Sequence, residues 1–148
     1  MNLFSLAFVL LAAVVSNCQE GVQSSEIQKI EFGTSFGMCL GYCTKVVTFE
    51  NGSVTKELTS RNEDQLKRTC GDFYNTDELF STINVQAFLS LEEIIGCPDC
   101  ADGGSEWIEI TTAQGSKKIT YEFRHEPEEV KSFIGELRKY YDQLGECE

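Results

Sequence analysis

Residues 96–104 have the sequence Gly96-Cys97-Pro98-Asp99-Cys100-Ala101-Asp102-Gly103-Gly104. A run that mixes glycines and a proline at this density does not continue a helix or a strand, so it predicts a tight, specified loop. An amphipathic segment with helical spacing ends at this central loop, and a pair of strand-like segments begins just after it. The central loop therefore separates two groups of predicted elements.

The strand-like segments predict two hairpins and one N-terminal strand. Ile30, Phe32 and Phe36 share one parity, which indicates the first strand. Residues 45–49 and 53–58 flank Asn51-Gly52, and this dipeptide favours a two-residue hairpin because both turn positions require positive φ. Residues 106–111 and 117–123 predict a second hairpin around residues 113–116.

Two further regions have helical spacing. Asn75 and Glu78 form a capping-box pattern at the start of the central helical region. A second cap signal at Ser90 lies inside this region. The region is therefore predicted to form either one long helix or two short helices with a break near residues 84–90. Pro127 suits the first position of a C-terminal helix. The apolar positions are Leu79, Ile83, Ala87, Leu91 and Ile94 in the first region, and Val130, Phe133, Ile134, Leu137, Tyr141 and Leu144 in the second. The predicted fold class is α+β, an antiparallel sheet with the central helical region and the C-terminal helix packed on one face.

The composition restricts the choice of partners. The chain has 148 residues, which suits a single domain, and its hydrophobic content of 41% is enough for a packed core. Its formal charge of −12 repels phosphate backbones, so no nucleic-acid partner is predicted. The same charge suits a cationic or basic protein partner.

The N-terminal region predicts export. Residues 1–17 carry no charged side chain, and the apolar run from Leu3 to Val15 is too short to cross a bilayer, so residues 1–17 are interpreted as a signal peptide. Val15-Ser16-Asn17-Cys18 resembles the lipobox of bacterial lipoproteins, which implies palmitate or another acyl chain on Cys18 and a membrane partner reached through that lipid. Residues 18–25 would then be a lipid-anchored tether and residues 26–148 a single α+β domain. The alternative is an ordinary signal peptide and a secreted protein.

The remaining cysteines predict disulfides. An even number of cysteines in an exported chain favours disulfide bonds, although 15 pairings are open. Cys97 and Cys100 also allow a thioredoxin-like redox pair, but a preceding helix end would disfavour a thiolate there. A four-cysteine zinc site is the other alternative, built from Cys39, Cys43, Cys97 and Cys100. The six candidates are Cys39, Cys43, Cys70, Cys97, Cys100 and Cys147.

No catalytic set emerges from the other residues. His125 is the only histidine, no nucleophile-elbow motif accompanies it, and it is interpreted as a solvated junction residue. Asp99, Asp102 and Glu106 do not match a calcium loop, so they are interpreted as carboxylates that cap a loop. A non-enzymatic binding or structural role without a cofactor is therefore predicted.

One local pattern resembles a known group of proteins. The segment Gly37-Met38-Cys39-Leu40-Gly41-Tyr42-Cys43, here called the first cysteine loop, precedes a strand and the Asn51-Gly52 turn. This arrangement resembles a small uncharacterised group of bacterial, Bacteroidetes-like envelope lipoproteins with a Cys-x-Gly-x-Cys loop before a β-hairpin. The resemblance covers about residues 30–58. It implies an exported protein of the bacterial cell envelope and assigns no activity or site residues.

Overall fold

The computed structural model describes residues 23, 26–61, 67–145 and 147. The predicted signal peptide, the lipid attachment at Cys18 and the tether at 18–25, apart from Gln23, lie outside the described residues and stay predictions. The helices are α1 (Thr76–Ser81), α2 (Val85–Ser90) and α3 (Lys131–Gln143). The strands are β1 (Ile27–Ser35), β2 (Tyr42–Glu50), β3 (Ser53–Ser60), β4 (Lys67–Phe73), β5 (Ile94–Ile95), β6 (Ser105–Thr112) and β7 (Gly115–Glu122).

The strands of this described part form one sheet in the order β4-β3-β2-β1-β6-β7-β5. Five neighbouring pairs are antiparallel, whereas β5 is parallel to β7. The predicted α+β class is therefore confirmed in outline, but the sheet is mixed. β4 lies in the polar connection at residues 60–75, for which the sequence indicates only a short strand or turn. β5 was not predicted as a strand, because the helical spacing extends to Ile94.

Both predicted hairpins are present. Asn51 (φ 51°) and Gly52 (φ 72°) have the positive φ that their turn requires, and Glu50 pairs with Ser53 across it. The second turn is shorter than predicted, because Thr112 pairs with Gly115 and leaves only residues 113 and 114 in the loop. The turn is closed by Thr112, whose Oγ1 donates to the Gly115 carbonyl over 3.1 Å.

The central helical region consists of two short helices. The Asn75 side chain accepts from the Asp77 N–H at 3.2 Å and begins α1, as predicted. The break falls at residues 82–84, earlier than expected, and the second cap is Asn84, whose Oδ1 accepts from the Ala87 N–H at 3.1 Å. The predicted cap at Ser90 is wrong, because Ser90 ends α2. Helix α1 ends at Ser81 with Thr82 as its C-cap, and the Asn84 side chain caps the start of α2.

The core lies between the helices and one face of the sheet. The predicted apolar face of α3 is confirmed, since Phe133, Ile134 and Leu137 are buried. The predicted start of α3 at Pro127 is wrong, because α3 begins four residues later, at Lys131. Pro127 lies in a turn closed by a hydrogen bond of 3.2 Å from the Val130 N–H to the Pro127 carbonyl. The other buried core residues include Ile30, Phe32, Val47, Phe49, Val54, Leu79, Phe80, Phe88, Ile108, Ile119 and Tyr121.

The opposite face of the sheet carries Trp107. The Trp107 ring lies against Gly33, where any Cβ would collide with it, and the Lys118 ammonium lies 3.8 Å from the centre of the ring. Trp107 is therefore half-buried on the solvent side and does not belong to the core. None of the helices in the described part of the chain combines the length and apolar character that crossing a bilayer requires.

Candidate functional site

The six cysteines form three pairs. Cys39 pairs with Cys43, Cys97 with Cys100 and Cys70 with Cys147, over sequence separations of 4, 3 and 77 residues. Their Cα–Cα distances of 5.6, 5.5 and 5.2 Å lie within the range of disulfides. The protein is thus a disulfide-stabilised domain, with one long-range bond and two local ones.

The long-range bond joins Cys147, which follows α3, to Cys70 of β4. A buried lysine strengthens the same junction: Lys56 Nζ donates to the Tyr141 carbonyl at 2.8 Å and to the Gly145 carbonyl at 2.6 Å. Only 1% of Lys56 is exposed. Its cation lies at the negative end of the helix dipole, where a positive charge is stabilising. The sequence carried a signal for this role, since Lys56 shares the inward parity of Val54 and Leu58.

The two local disulfides lie at one end of the sheet. Asp99 of the central loop accepts through Oδ1 from the Gly37 N–H at 3.3 Å and from the Gly104 N–H at 3.2 Å. The carboxylate of Asp99 therefore joins the central loop to the first cysteine loop, which confirms its interpretation as a loop cap. The contact is extended by Phe36 and Phe123, whose ring centroids are 4.9 Å apart.

The local environment of Cys97 differs from the one expected. Cys97 follows β5, so no helix end lies directly before it, and the dipole argument against a thiolate does not apply. A carboxylate takes its place: Glu122 Oε1 accepts from the Cys97 N–H at 2.8 Å. A nearby negative charge also disfavours a thiolate.

The alternative zinc site would require all four loop cysteines as thiolates. In this structure each pair is closed by its own disulfide, and sulfurs in that state are not zinc ligands. Within residues 23, 26–61, 67–145 and 147, no group of three or more His, Cys, Asp or Glu side chains is placed to hold a metal ion.

A cleft of about 180 Å³ opens beside the two loops, between the inner face of the sheet and α3. Its aromatic walls come from the sheet and from α3, and its charged groups come from β2, β6, α3 and the segment after β7. We call it the α3 cleft. It is lined by Phe32, Thr34, Phe36, Lys45, Glu106, Phe123, Arg124, Arg138, Tyr141 and Asp142.

A charge cluster around the buried Glu106 carboxylate contributes Glu106 and Arg138 to the lining of the α3 cleft. Arg138 Nη2 donates to Glu106 Oε2 at 2.5 Å and to Glu126 Oε2 at 2.8 Å. Only 2% of Glu106 is exposed. The hydrogen bond from Arg138 lowers the pKa of Glu126, and the same carboxylates raise the pKa of Arg138. Burial, together with the charge of Glu106, raises the pKa of Tyr121.

The mouth of the α3 cleft is formed by the segment that follows β7. Arg124 has φ of 61°, a conformation that costs energy in a residue with a side chain. Its N–H donates to Glu106 Oε2 at 3.3 Å, which helps to hold that conformation. The exposed Arg124 guanidinium lies 5.4 Å from the centre of the Phe123 ring and makes no ion pair with any residue that the structure describes. The neighbouring His125 is exposed, as predicted.

A second depression of about 540 Å³ lies on the open face of the sheet, and its lining includes Thr44, Thr59 and the ion pair Glu57–Lys67. That pair is half-exposed, with Nζ and Oε2 2.7 Å apart, so solvent screens it strongly. The α3 cleft combines aromatic walls with buried charge, which is typical of ligand sites.

The residues of the α3 cleft were not predicted as a site. The interpretation of Glu106 as a loop-capping carboxylate is wrong, because Glu106 is a buried residue of β6 whose carboxylate accepts from Arg138. Glu106 shares the inward parity of Ile108 and Ile110, and this acid at a core position was the available signal. No protein-family model matches the chain, and no curated protein is similar to it.

Proposed function

We propose that this protein is a lipid-anchored, disulfide-stabilised binding domain of the bacterial cell envelope, and that the α3 cleft binds a small amphipathic anion. The observation that carries the ligand proposal is Arg138. Its Nη2 is held by two carboxylates, while its buried Nε has no hydrogen-bond partner among the described residues. A buried donor of this kind costs free energy until a ligand or water accepts from it.

The walls of the α3 cleft define the ligand class. Phe32, Phe36 and Phe123 offer apolar and aromatic surface for a hydrophobic body, whereas Arg124 offers a cation at the mouth. A volume of about 180 Å³ is below the roughly 300 Å³ at which drug-sized sites begin. A short aliphatic or aromatic carboxylate has an apolar body, an anionic group and a volume small enough for this cleft.

The ligand proposal is tested by titrating the ¹⁵N-labelled full chain with benzoate, phenylacetate and hexanoate, and with the uncharged amide of each acid. We expect the acids to bind more tightly than the amides and to shift the amide resonances of Phe36, Phe123 and Arg124. Arg124→Gln should weaken the acids about tenfold and leave the amides unchanged, on the scale of one charge-assisted hydrogen bond. Lys118→Gln, on the opposite face, is the control.

Equal affinity for acids and amides would contradict the proposal, as would shifts confined to the open face of the sheet.

The position of the N-terminal end of β1 is compatible with ligand binding in the α3 cleft. Ile27, at the start of β1, pairs with Thr112, so the chain enters the sheet at the end opposite the first cysteine loop. Ile27 is not among the residues that line the α3 cleft.

The anchor rests on the uncharged residues 1–17 and on Cys18 at the end of the apolar run. The resemblance of the first cysteine loop to envelope lipoproteins supports the same location. In a bacterial host, the protein should partition with membranes and take up a radioactive fatty acid, and Cys18→Ala should abolish the labelling. A variant that is still labelled would refute attachment at Cys18, and an unlabelled wild type found in the medium would indicate secretion.

Thiol–disulfide exchange through Cys97 and Cys100 is the second candidate function. The favouring observation is that both cysteines are exposed. A thiol count on native protein distinguishes the candidates. No titratable thiol supports the structural role, two thiols of low pKa with disulfide-reductase activity support exchange, and four thiols released only by a chelator support the metal module.

A further inference from the structure

The sheet ends in a long, exposed edge strand. Among the strands that the structure describes, β4 forms hydrogen bonds with β3 alone, and six of its seven residues are exposed. The opposite edge is formed by β5, which has just two residues. Phe73, at the end of β4, is 90% exposed. An exposed edge of this length presents unpaired backbone groups that can accept another strand.

The hydrogen bonds at the end of β4 show which backbone groups face outward. The Tyr74 N–H donates to the Gly52 carbonyl at 2.9 Å, toward β3, whereas the Phe73 N–H donates to its neighbour Asp72 Oδ1 at 2.7 Å. The backbone N–H and carbonyl groups of successive residues point to opposite sides of an extended strand. The odd-numbered residues of β4 therefore direct these groups away from β3. An added strand must therefore pair odd-numbered residues with odd-numbered residues.

The sequence of β4 is complementary to itself in one antiparallel register that satisfies this condition. With Cys70 opposite Cys70, all seven residues overlap, and Arg68 lies opposite Asp72 twice, once on each side of the two-fold axis. Both are exposed. These positions are non-hydrogen-bonded pairs, where facing side chains approach most closely. Lys67 lies opposite the exposed Phe73 ring, a contact that a cation and an aromatic ring favour. A shift of two residues in either direction loses both Arg68–Asp72 pairs.

We infer that a second copy of this chain binds at the β4 edge and continues the sheet through an antiparallel β4–β4 pair. The interface is isologous, so each contact occurs twice. The two-fold axis is perpendicular to the sheet and places the two β1 entry points at opposite ends of the continuous sheet.

The test uses full chains that carry two different affinity tags, co-expressed and solubilised in a mild non-ionic detergent. The measured quantity is the fraction of one tagged copy that co-purifies with the other. Arg68→Asp and Asp72→Arg should each lower the association constant roughly 30-fold, because two attractive cross-strand pairs become two repulsive ones. Lys139→Asp, an exposed charge reversal on α3, should leave it unchanged.

The decisive sample mixes the two reversals. An Arg68→Asp copy and an Asp72→Arg copy are complementary to each other in this register, so their mixture should recover co-purification that neither variant shows with itself. Oxidative cross-linking of a Lys67→Cys copy to a Phe73→Cys copy should identify the same register. The inference would be overturned if the two wild-type copies did not co-purify, or if neither charge reversal lowered the co-purified fraction. It would also be overturned if the mixture of the two variants did not restore that fraction, or if a strand of another protein were found at β4 in place of the second copy.

Discussion

The disulfide between Cys70 and Cys147 should contribute far more stability than the one between Cys97 and Cys100. A disulfide restrains the unfolded chain, and the chain-entropy cost of closing a loop grows with its length. A separation of 77 residues gives roughly 4.5 kcal/mol, whereas a separation of 3 residues gives roughly 1.6 kcal/mol on the same relation. The long-range bond also holds the region that follows α3, where Lys56 binds the last carbonyls.

The experiment compares two double variants, Cys70→Ser with Cys147→Ser and Cys97→Ser with Cys100→Ser. Urea unfolding of each is followed by near-ultraviolet circular dichroism without reductant, and free energies are obtained by linear extrapolation. We expect the first variant to lose about 4–5 kcal/mol and the second to lose about 2 kcal/mol or less. Wild-type protein in the presence of reductant provides the fully open reference.

Equal losses in the two double variants would refute this reasoning, and so would a larger loss from the central loop. Either result would mean that Cys97 and Cys100 have long-range partners in solution, or that the local bonds hold the Asp99 contact between the two loops. A fold that is unchanged in the Cys97→Ser, Cys100→Ser variant, together with the loss of a disulfide-reductase activity, would instead favour thiol exchange.

Three further outcomes follow from the packing of α3. Leu137→Ala should cost about 2–5 kcal/mol in the free energy of unfolding through a cavity, whereas Lys139→Ala should cost under about 0.5 kcal/mol, and equal urea midpoints would mean that the buried face of α3 is misassigned. Lys56→Met should cost about 1–3 kcal/mol, because the Tyr141 and Gly145 carbonyls lose their donor, and a neutral effect on the urea midpoint would show that water replaces it. The hydrogen bond from Arg138 lowers the folded-state pKa of Glu126 below its usual 4.5. The stabilisation from this pair is therefore present above pH 4.5 and is lost as the pH falls through the lowered pKa. When urea unfolding is repeated across acid pH, the free energy of unfolding should fall less below pH 4.5 in Glu126→Gln than in the wild type, and identical profiles would contradict the assignment.

The elements that the sequence predicted correctly are those with a local cause. The Asn51-Gly52 turn forms because two adjacent positions need positive φ, which these two residues adopt at low cost. The apolar face of α3 follows from a repeat near 3.6 residues, which one helix displays whatever it packs against. The even number of cysteines that remain after Cys18 predicted disulfides from composition and from the predicted export.

The elements that the sequence missed depend on a neighbour. β4 has no alternating apolar pattern because both of its faces are largely exposed, and only pairing with β3 makes it a strand. β5 has two residues, too few for any period, and pairs with β7. The early end of α1 at Ser81 also depends on context, since the same helical spacing continues through the break at residues 82–84.

Local sequence patterns were enough to predict a disulfide-containing α+β chain with two hairpins and a C-terminal apolar helix. The pairing of the cysteines and the positions of the buried charges follow from tertiary packing alone. Glu106 meets Arg138 across 32 residues, and Lys56 meets the Tyr141 carbonyl across 85. A buried charge is tolerated only where a partner from elsewhere in the chain reaches it, so its position depends on the packing of α3 on the sheet and not on any local pattern.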